Sequence, residues 1–328
     1  MHIGGGIEED EMQDQFSAFC KLCECLEGCV VRQNIPMAQY TSFRTGGCAR
    51  VLVEPQNVEA LRNALAVAQE CNIPFEVIGN GTNLLVSDDG VEAVVFRIGD
   101  ALASIRRTGG TFFAEAGAPL SLLAKRSVEQ GFMGLEWAAG IPGSIGGAVA
   151  MNAGAYGGEI ATLLQSVSWM DPKTGAIAET IPHDGAFSYR YSAFRAPECI
   201  VLSATFSLQP DDGSARMRMA EYTEKRREKQ PLSFPSAGST FKRPEGNFAG
   251  ALIEQCGLKG MRIGGAQVST LHAGFLINAG GATSSDVYAL MCQVQKVVYE
   301  NKGVLLEPEV HLLGNFALSA QKKGGGAK

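Results

Sequence analysis

The chain has 328 residues, 45% of them hydrophobic and 19% charged, which is enough apolar material for a sizeable core divided over two or three domains. A formal net charge of −6 argues against a nucleic-acid surface, and no apolar run reaches the length that spans a bilayer. The opening "MHIGGGIEEDEMQDQ" is too acidic and polar for a secretory signal, so the expectation is a cytoplasmic, monomeric protein whose nine cysteines stay reduced.

Near the amino terminus "CKLCECLEGC" gathers Cys20, Cys23, Cys25 and Cys29. A CxxC pair can place two thiolates on one zinc or iron. The spacing here is irregular and no second pair follows at a ligand distance, so the segment reads as a short helix turning small, soft residues toward the body, within an extension over residues 1–33. The four histidines show no ligand spacing either, and no catalytic metal is expected. From Asn34 the patterning strengthens. "NVEALRNALAVAQECN" carries Ala60, Leu61, Ala64, Leu65 and Val67 near helical spacing, with Asn57 as its cap. Phe75 to Ile78 and Val94 to Ile98 read as strands around a turn of Gly79, Asn80, Gly81, Thr82 and Asn83. Its amides and small side chains are free to meet an anion, although an ordinary turn explains the same residues.

A helix over "LSLLAKRSVEQGF" delivers the chain into "GLEWAAGIPGSIGGAVAMNAGAYGGEI", a stretch dense in glycine with no lysine or arginine. Pro142 and Gly143 break any regular element, and Gly143, Ser144, Gly146 and Gly147 precede small residues from Ala148 that start a helix. Amides at such a turn point at a pyrophosphate while the missing side chains let it approach. Tight packing of a loop over a sheet accounts for some of these glycines, but two such ribbons in one chain strain that explanation. Neither has the G-x-G-x-x-G spacing, which disfavours a Rossmann fold. "SVSWM", "IAETI" and "CIVLSATFSLQ" then read as strands. "ARMRMAEYTEKRREKQP" reads as a charged surface helix stopped by Pro231, and it marks a boundary. A helix around "FAGALIEQCG" follows, then a long one over "TSSDVYALMCQVQKVVYENKG", capped by Thr283 or Ser284 and ended by Gly303. Its stripe of Val287, Leu290, Met291, Val294, Val297 and Val298 faces the core. The tail "SAQKKGGGAK" reads as disordered.

Seven segments, "TSFRTGG", "IGNGTNLLVSDDG", "AGIPGSIGGAVAMNAGAYGGEI", "YRYSAFR", "PSAGSTFKRP", "GGAQVSTLHAGFLIN" and "LEPEV", occur in an order and spacing that resemble the UDP-N-acetylenolpyruvoylglucosamine reductase family, from about Asn34 to Gly314. The resemblance implies an α+β fold: an FAD-binding unit of the vanillyl-alcohol oxidase type in two subdomains, 34–98 and 99–210, then an α+β substrate domain, 211–314, and a tail, 315–328. It implies FAD, NADPH as co-substrate, and reduction of UDP-N-acetylglucosamine enolpyruvate to UDP-N-acetylmuramate for peptidoglycan. No histidine lies in either glycine ribbon, which favours noncovalent FAD. The cofactor contacts implied are Arg44, Thr45, Gly79, Asn80, Gly81, Thr82, Asn83, Gly140, Ile141, Pro142, Gly143, Ser144, Gly146, Gly147, Asn152 and Gly154.

Reducing an enolpyruvyl ether needs a hydride at one carbon and a proton at its neighbour, and the flavin supplies the hydride. By resemblance Ser239 is the proton donor. Arg190 matches the family's catalytic arginine, whose fork can grip the substrate carboxylate and spread the charge of an enolate-like intermediate. Glu309 matches the third catalytic position; beside the substrate's carboxylate it would repel unless protonated or bridged by a cation, so it is expected to tune the site. Glu307 should face the other way. Lys242 and Arg243 are placed to neutralise a diphosphate, Arg243 standing where other members carry asparagine, and His272 stands where others offer glutamine. The short path from Arg195 to "ARMRM" resembles the subclass lacking a long substrate-covering loop. Tyr156 and Tyr189 are candidates for the work of that loop's tyrosine. Two other readings stay open: another FAD-dependent oxidase or dehydrogenase on this scaffold, or a flavin-binding redox sensor without turnover.

Overall fold

The computed structural model describes residues 5–195 and 197–316, with side chains for all of these except 5–11 and 13. The first sheet sets Cys29–Pro36, Cys48–Pro55, Val91–Arg97 and Phe75–Ile78 side by side, the first pair antiparallel and the others parallel. Alternation along its strands sends Val51, Val53, Val94 and Phe96 to one face and Leu52 and Val95 to the other, and both faces are buried. Two helices cover the first face. One is α1 (Gly5–Glu24), and the other is α2 (Val58–Glu70), where Asn57 Oδ1 accepts from Ala60 N at 2.8 Å as the expected cap.

The sheet begins at Cys29, five residues before the point where sequence patterning becomes strong, and α1 sends Phe16, Phe19, Cys20 and Cys23 into the same core as Leu61 and Leu65. Residues assigned to an extension thus help close the first sheet. Cys20 and Cys23 serve as hydrophobic packing, while Cys25 is exposed. Burial pushes the Cys23 thiol up to about 12, with Cys29 and Cys20 nearby adding to the shift, so it stays protonated and inert at neutral pH.

The second sheet is antiparallel throughout, in the order Ile177–Thr180, Leu164–Met170, Ile200–Ser207, Thr111–Glu115 and Ile105–Thr108. α3 (Leu120–Glu129) and α4 (Ile145–Ala150) pack on it. α4 starts three residues earlier than expected because Ser144 caps it, its Oγ accepting from Gly147 N at 3.4 Å. α5 (Ala215–Lys229), placed by sequence beyond a boundary at 211, rests on the cofactor half: Arg218 donates to Glu136 at 2.6 Å and Tyr222 packs against the first core.

The remaining part builds its own core between α6 (Ala249–Gln255), α7 (Ser284–Lys302) and a three-stranded sheet of Arg262–Ile263, Ala266–Val268 and Leu276–Asn278. Thr283 and Asp286 form a capping box on α7, and Gly303 ends it at φ 68°. Several hydrogen bonds join this part to the first, among them one from Asn278 Nδ2 to Phe43 O. Asp88 accepts from the amides of Ser284 and Ser285 at 2.8 and 2.7 Å, and the hydroxyls of Ser284 and Thr45 meet at 2.8 Å. The chain then returns as His311–Leu313, pairing in parallel with Leu84–Val86 directly after the first glycine ribbon. The expected disordered tail falls mostly outside the described residues.

Because the Phe19 ring is fully buried, Phe19→Ala should cost about 3–5 kcal/mol. Denaturant unfolding measures it; an unchanged midpoint would mean α1 is an appendage.

Candidate active site

Arg190 sits on the two-residue turn between Phe187–Ser188 and Tyr191–Ser192, in a left-handed conformation at φ 55°. A side chain bearing Cβ adopts that conformation at a cost of about 1–2 kcal/mol. Asn152 supports the turn: fully buried, it donates to Ser188 O at 3.0 Å and to Glu159 at 3.2 Å, and accepts from Ala161 N at 3.1 Å. Its side-chain polar atoms are thus committed to holding the turn that carries Arg190.

The Arg190 guanidinium donates from Nε to Glu309 Oε1 at 2.6 Å and from Nη2 to Gly154 O at 3.0 Å, and it lies 5.0 Å from the Tyr189 ring centre. Burial pushes the Glu309 carboxyl above the ordinary carboxylate range, and Arg190 draws it part of the way back. Of the two conditions expected to let Glu309 stand beside a substrate carboxylate, protonation or a bridging cation, the raised pKa favours the first and the neighbouring Arg190 offers the second.

The backbone around Glu309 is fixed from three sides. Phe241 and Pro308 form an antiparallel bridge, Glu309 N donates to Thr240 O at 2.8 Å, and Asn83 Nδ2 donates to Glu309 O at 2.9 Å. Thr240, fully buried, also donates to Gly274 O and accepts from Leu276 N. Ser239 is carried beside it into the open, after Gly238 at φ 78°. Glu307 forms an ion pair with Lys242, and Lys242 also lies near enough to draw the Glu309 carboxyl down. Lys242 is thus partly neutralised, and Glu307 has a partner where none was expected.

A cleft of about 380 Å³ collects Ser239, Arg190, Glu309, Tyr189, Arg243 and His272. The Tyr189 hydroxyl accepts from Arg243 N at 3.1 Å. His272 Nδ1 accepts from Gly274 N at 3.1 Å and burial holds the ring's pKa below its ordinary value, so the neutral ring keeps its proton on Nε2. Tyr156 is elsewhere. At φ 52° it stacks on Tyr222 of α5, ring centres 4.7 Å apart.

The two glycine ribbons meet: Asn80 Nδ2 donates to Pro142 O at 3.0 Å. Several of their glycines are required by the protein itself. A Cβ on Gly79 would strike Ser144 Oγ, and one on Gly81, at φ 61°, would strike Tyr40 O. A Cβ on Gly146 would come to 3.0 Å from Ala116 Cβ, and one on Gly154 to 2.6 Å from Gly158 O. Gly143 and Gly147 remain open, with nothing nearer than 3.6 and 3.5 Å. Thr45 is buried and spends its hydroxyl on Ser284, whereas Arg44 is exposed at φ 56°. Among the described residues the amides of Asn80, Gly81, Thr82, Asn83 and Gly143 donate to no protein acceptor. Such a concave row of free N–H groups suits an anion.

Sequence reasoning missed Arg226. Its side chain lies under Gly140, where a Cβ would come within 2.6 Å of Arg226 Cδ. Burial holds its pKa below the ordinary value, Tyr156 is its one electrostatic neighbour, and among the described residues its guanidinium has no ion pair or hydrogen bond. A half-buried cation without a counter-charge beside a row of unpaired amides is the environment an anionic cofactor completes. In "EKRREK" it looked like one more charge on a solvated face.

Residues 49–180 match the sequence model of an FAD binding domain, and residues 230–313 match that of the UDP-N-acetylenolpyruvoylglucosamine reductase C-terminal domain. A curated UDP-N-acetylenolpyruvoylglucosamine reductase of Caldanaerobacter subterraneus subsp. tengcongensis is 45% identical over 295 residues, covering 90% of this chain and 97% of the relative. That of Listeria monocytogenes serotype 4a is 44% identical over 285 residues, covering 87% and 95%. The crystal structure of the enzyme from Thermus caldophilus superposes with a TM-score of 0.76 at 34% identity, over 87% of this chain and all of that one. With the fold, the cleft and these matches in agreement along most of its length, the chain belongs to the UDP-N-acetylenolpyruvoylglucosamine reductase family.

Proposed function

We propose that this protein uses NADPH and noncovalently bound FAD to reduce the enolpyruvyl ether of UDP-N-acetylglucosamine enolpyruvate, giving UDP-N-acetylmuramate for peptidoglycan synthesis. The observation that carries the proposal is the meeting of Ser239, Arg190 and Glu309 in one cleft, with Glu309 tied through Asn83 to the first ribbon. Residues 34–98 and 99–210 supply the cofactor ribbons, and the part after 211 supplies Ser239 and Glu309. The free amides from Asn80 to Asn83 and at Gly143, with Arg226 behind Gly140, fit the phosphates and polar edge of a dinucleotide. When bound, FAD takes a hydride from NADPH and passes it to the substrate.

The chain's own residues do the rest. With Nε committed to Glu309, Arg190 meets the substrate carboxylate through Nη1 and the second hydrogen of Nη2, and its charge spreads over the carboxylate as electron density builds there. Glu309 fixes the plane of that fork. Ser239, with no hydrogen-bond partner among the described residues, is free to turn its O–H onto the neighbouring carbon. His272 offers Nε2–H, and Tyr189 with Arg243 forms one rim. Tyr156 steadies the hairpin whose Gly154 carbonyl receives Arg190.

The purified protein should be yellow and oxidise NADPH only when the enolpyruvyl sugar nucleotide is present. Strong turnover of a hydroxy acid with oxygen, and none with the sugar nucleotide, would favour an oxidase instead; a colourless protein would contradict both. Ser239→Ala should keep the colour and lose about 10²–10⁴ in kcat. An unaffected kcat would remove Ser239 as donor.

Glu309 should set an acid limb in the pH profile. Its pKa is raised, so as pH falls the carboxylate gains its proton above the ordinary carboxylate range, the charged bond to Arg190 is lost, and turnover falls with it. Glu309→Gln keeps an acceptor but does not titrate, and its profile should lack this limb. A limb that persists belongs to another group.

Arg226→Leu should release FAD more readily, read as recovery of free-flavin fluorescence on dilution. Retention equal to the parent would mean the charge has another use.

A further inference from the structure

Phe248 is 62% exposed, on the wall of the cleft that holds Ser239 and Arg190. It also occupies the N-cap of α6 with an extended backbone and makes no side-chain cap. Serine, threonine, aspartate or asparagine would satisfy an orphan amide there and stabilise the helix, and none would leave an aromatic ring in water. The position thus carries two structural penalties, offset within the protein only by a weak cation–π contact. Its neighbour is Arg243, whose guanidinium carbon lies 4.5 Å from the Phe248 ring centre and whose backbone is held by the Tyr189 hydroxyl. Leu271, also half-exposed, stands on the same cleft wall.

We propose that Phe248, with Arg243 beside it, is the seat of the pyrimidine ring of the sugar nucleotide. Arg243 lies over one face of the ring, so the base stacks on the other, and the guanidinium behind the ring meets the phosphates that follow the ribose. The cleft is continuous from this platform to Arg190, so the nucleotide is anchored at one end and the enolpyruvyl group presented at the other. The inference rests on the sugar-nucleotide reading above.

Calorimetric titration of the FAD-loaded protein with UDP, and separately with pyrophosphate, tests it. The parent should bind UDP, Phe248→Ala should bind it about tenfold or more weakly, and Phe248→Trp should restore binding, with pyrophosphate affinity equal in all three. Phe248→Asn supplies a helix cap while deleting the ring; it should melt no lower than the parent and still bind UDP weakly, which separates stacking from folding. UDP affinity unchanged in Phe248→Ala or Phe248→Asn would overturn the platform and leave the sugar-nucleotide reading standing. A parent that binds no UDP would overturn both.

Discussion

The Arg190–Glu309 pair is the interaction on which the site depends, because its two members come from opposite ends of the fold. Arg190 is carried by a strained turn on the cofactor half, and Glu309 by the return of the chain toward the first sheet. Their side chains are 20% and 15% exposed, so each charge is costly to leave unpaired, and the pair holds only while both backbones are in register. That register is enforced by the bonds around it: two neutral ones, Asn83 to Glu309 O and Glu309 N to Thr240 O, and a charge-assisted one from Arg190 to Gly154 O. One glutamate thereby links the first glycine ribbon, the segment carrying Ser239 and the turn carrying Arg190.

The energetic logic separates groups finished by the protein from groups left for something else. Asn152, Thr45, Thr240 and Lys242 spend their polar atoms internally, and substitution there acts through position. Arg226, the amides from Asn80 to Asn83, and the exposed Phe248 ring are unfinished. Buried donors and charges left without partners in a folded protein are costly, and their clustering along the ribbons and the cleft marks where ligands complete the structure.

Much of the architecture was legible because the signals were local. Asn57, Thr283 and Gly303 punctuate helices by mechanisms confined to a few residues, and the stripe from Val287 to Val298 has helical period. The start of the first sheet was obscured by cysteines that act as small apolar residues, so Cys29–Pro36 and α1 looked like an extension. The glycines were read as facing the cofactor, yet Gly79, Gly81 and Gly154 are needed to let one loop lie against another. That distinction depends on through-space neighbours such as Ser144 and Tyr40, which no spacing reveals. The same holds for Arg226, whose missing counter-charge is a property of the fold, and for Lys242, whose partner Glu307 is 65 residues away.

A crystal structure of the FAD-loaded protein with the enolpyruvyl sugar nucleotide measures the central relation directly. The substrate carboxylate should lie on Nη1 and Nη2 of Arg190, with Nε still on Glu309 and Ser239 Oγ within hydrogen-bonding reach of the vinyl group on the face opposite the flavin. A substrate carboxylate bound away from Arg190, or Ser239 turned from the double bond, would contradict it.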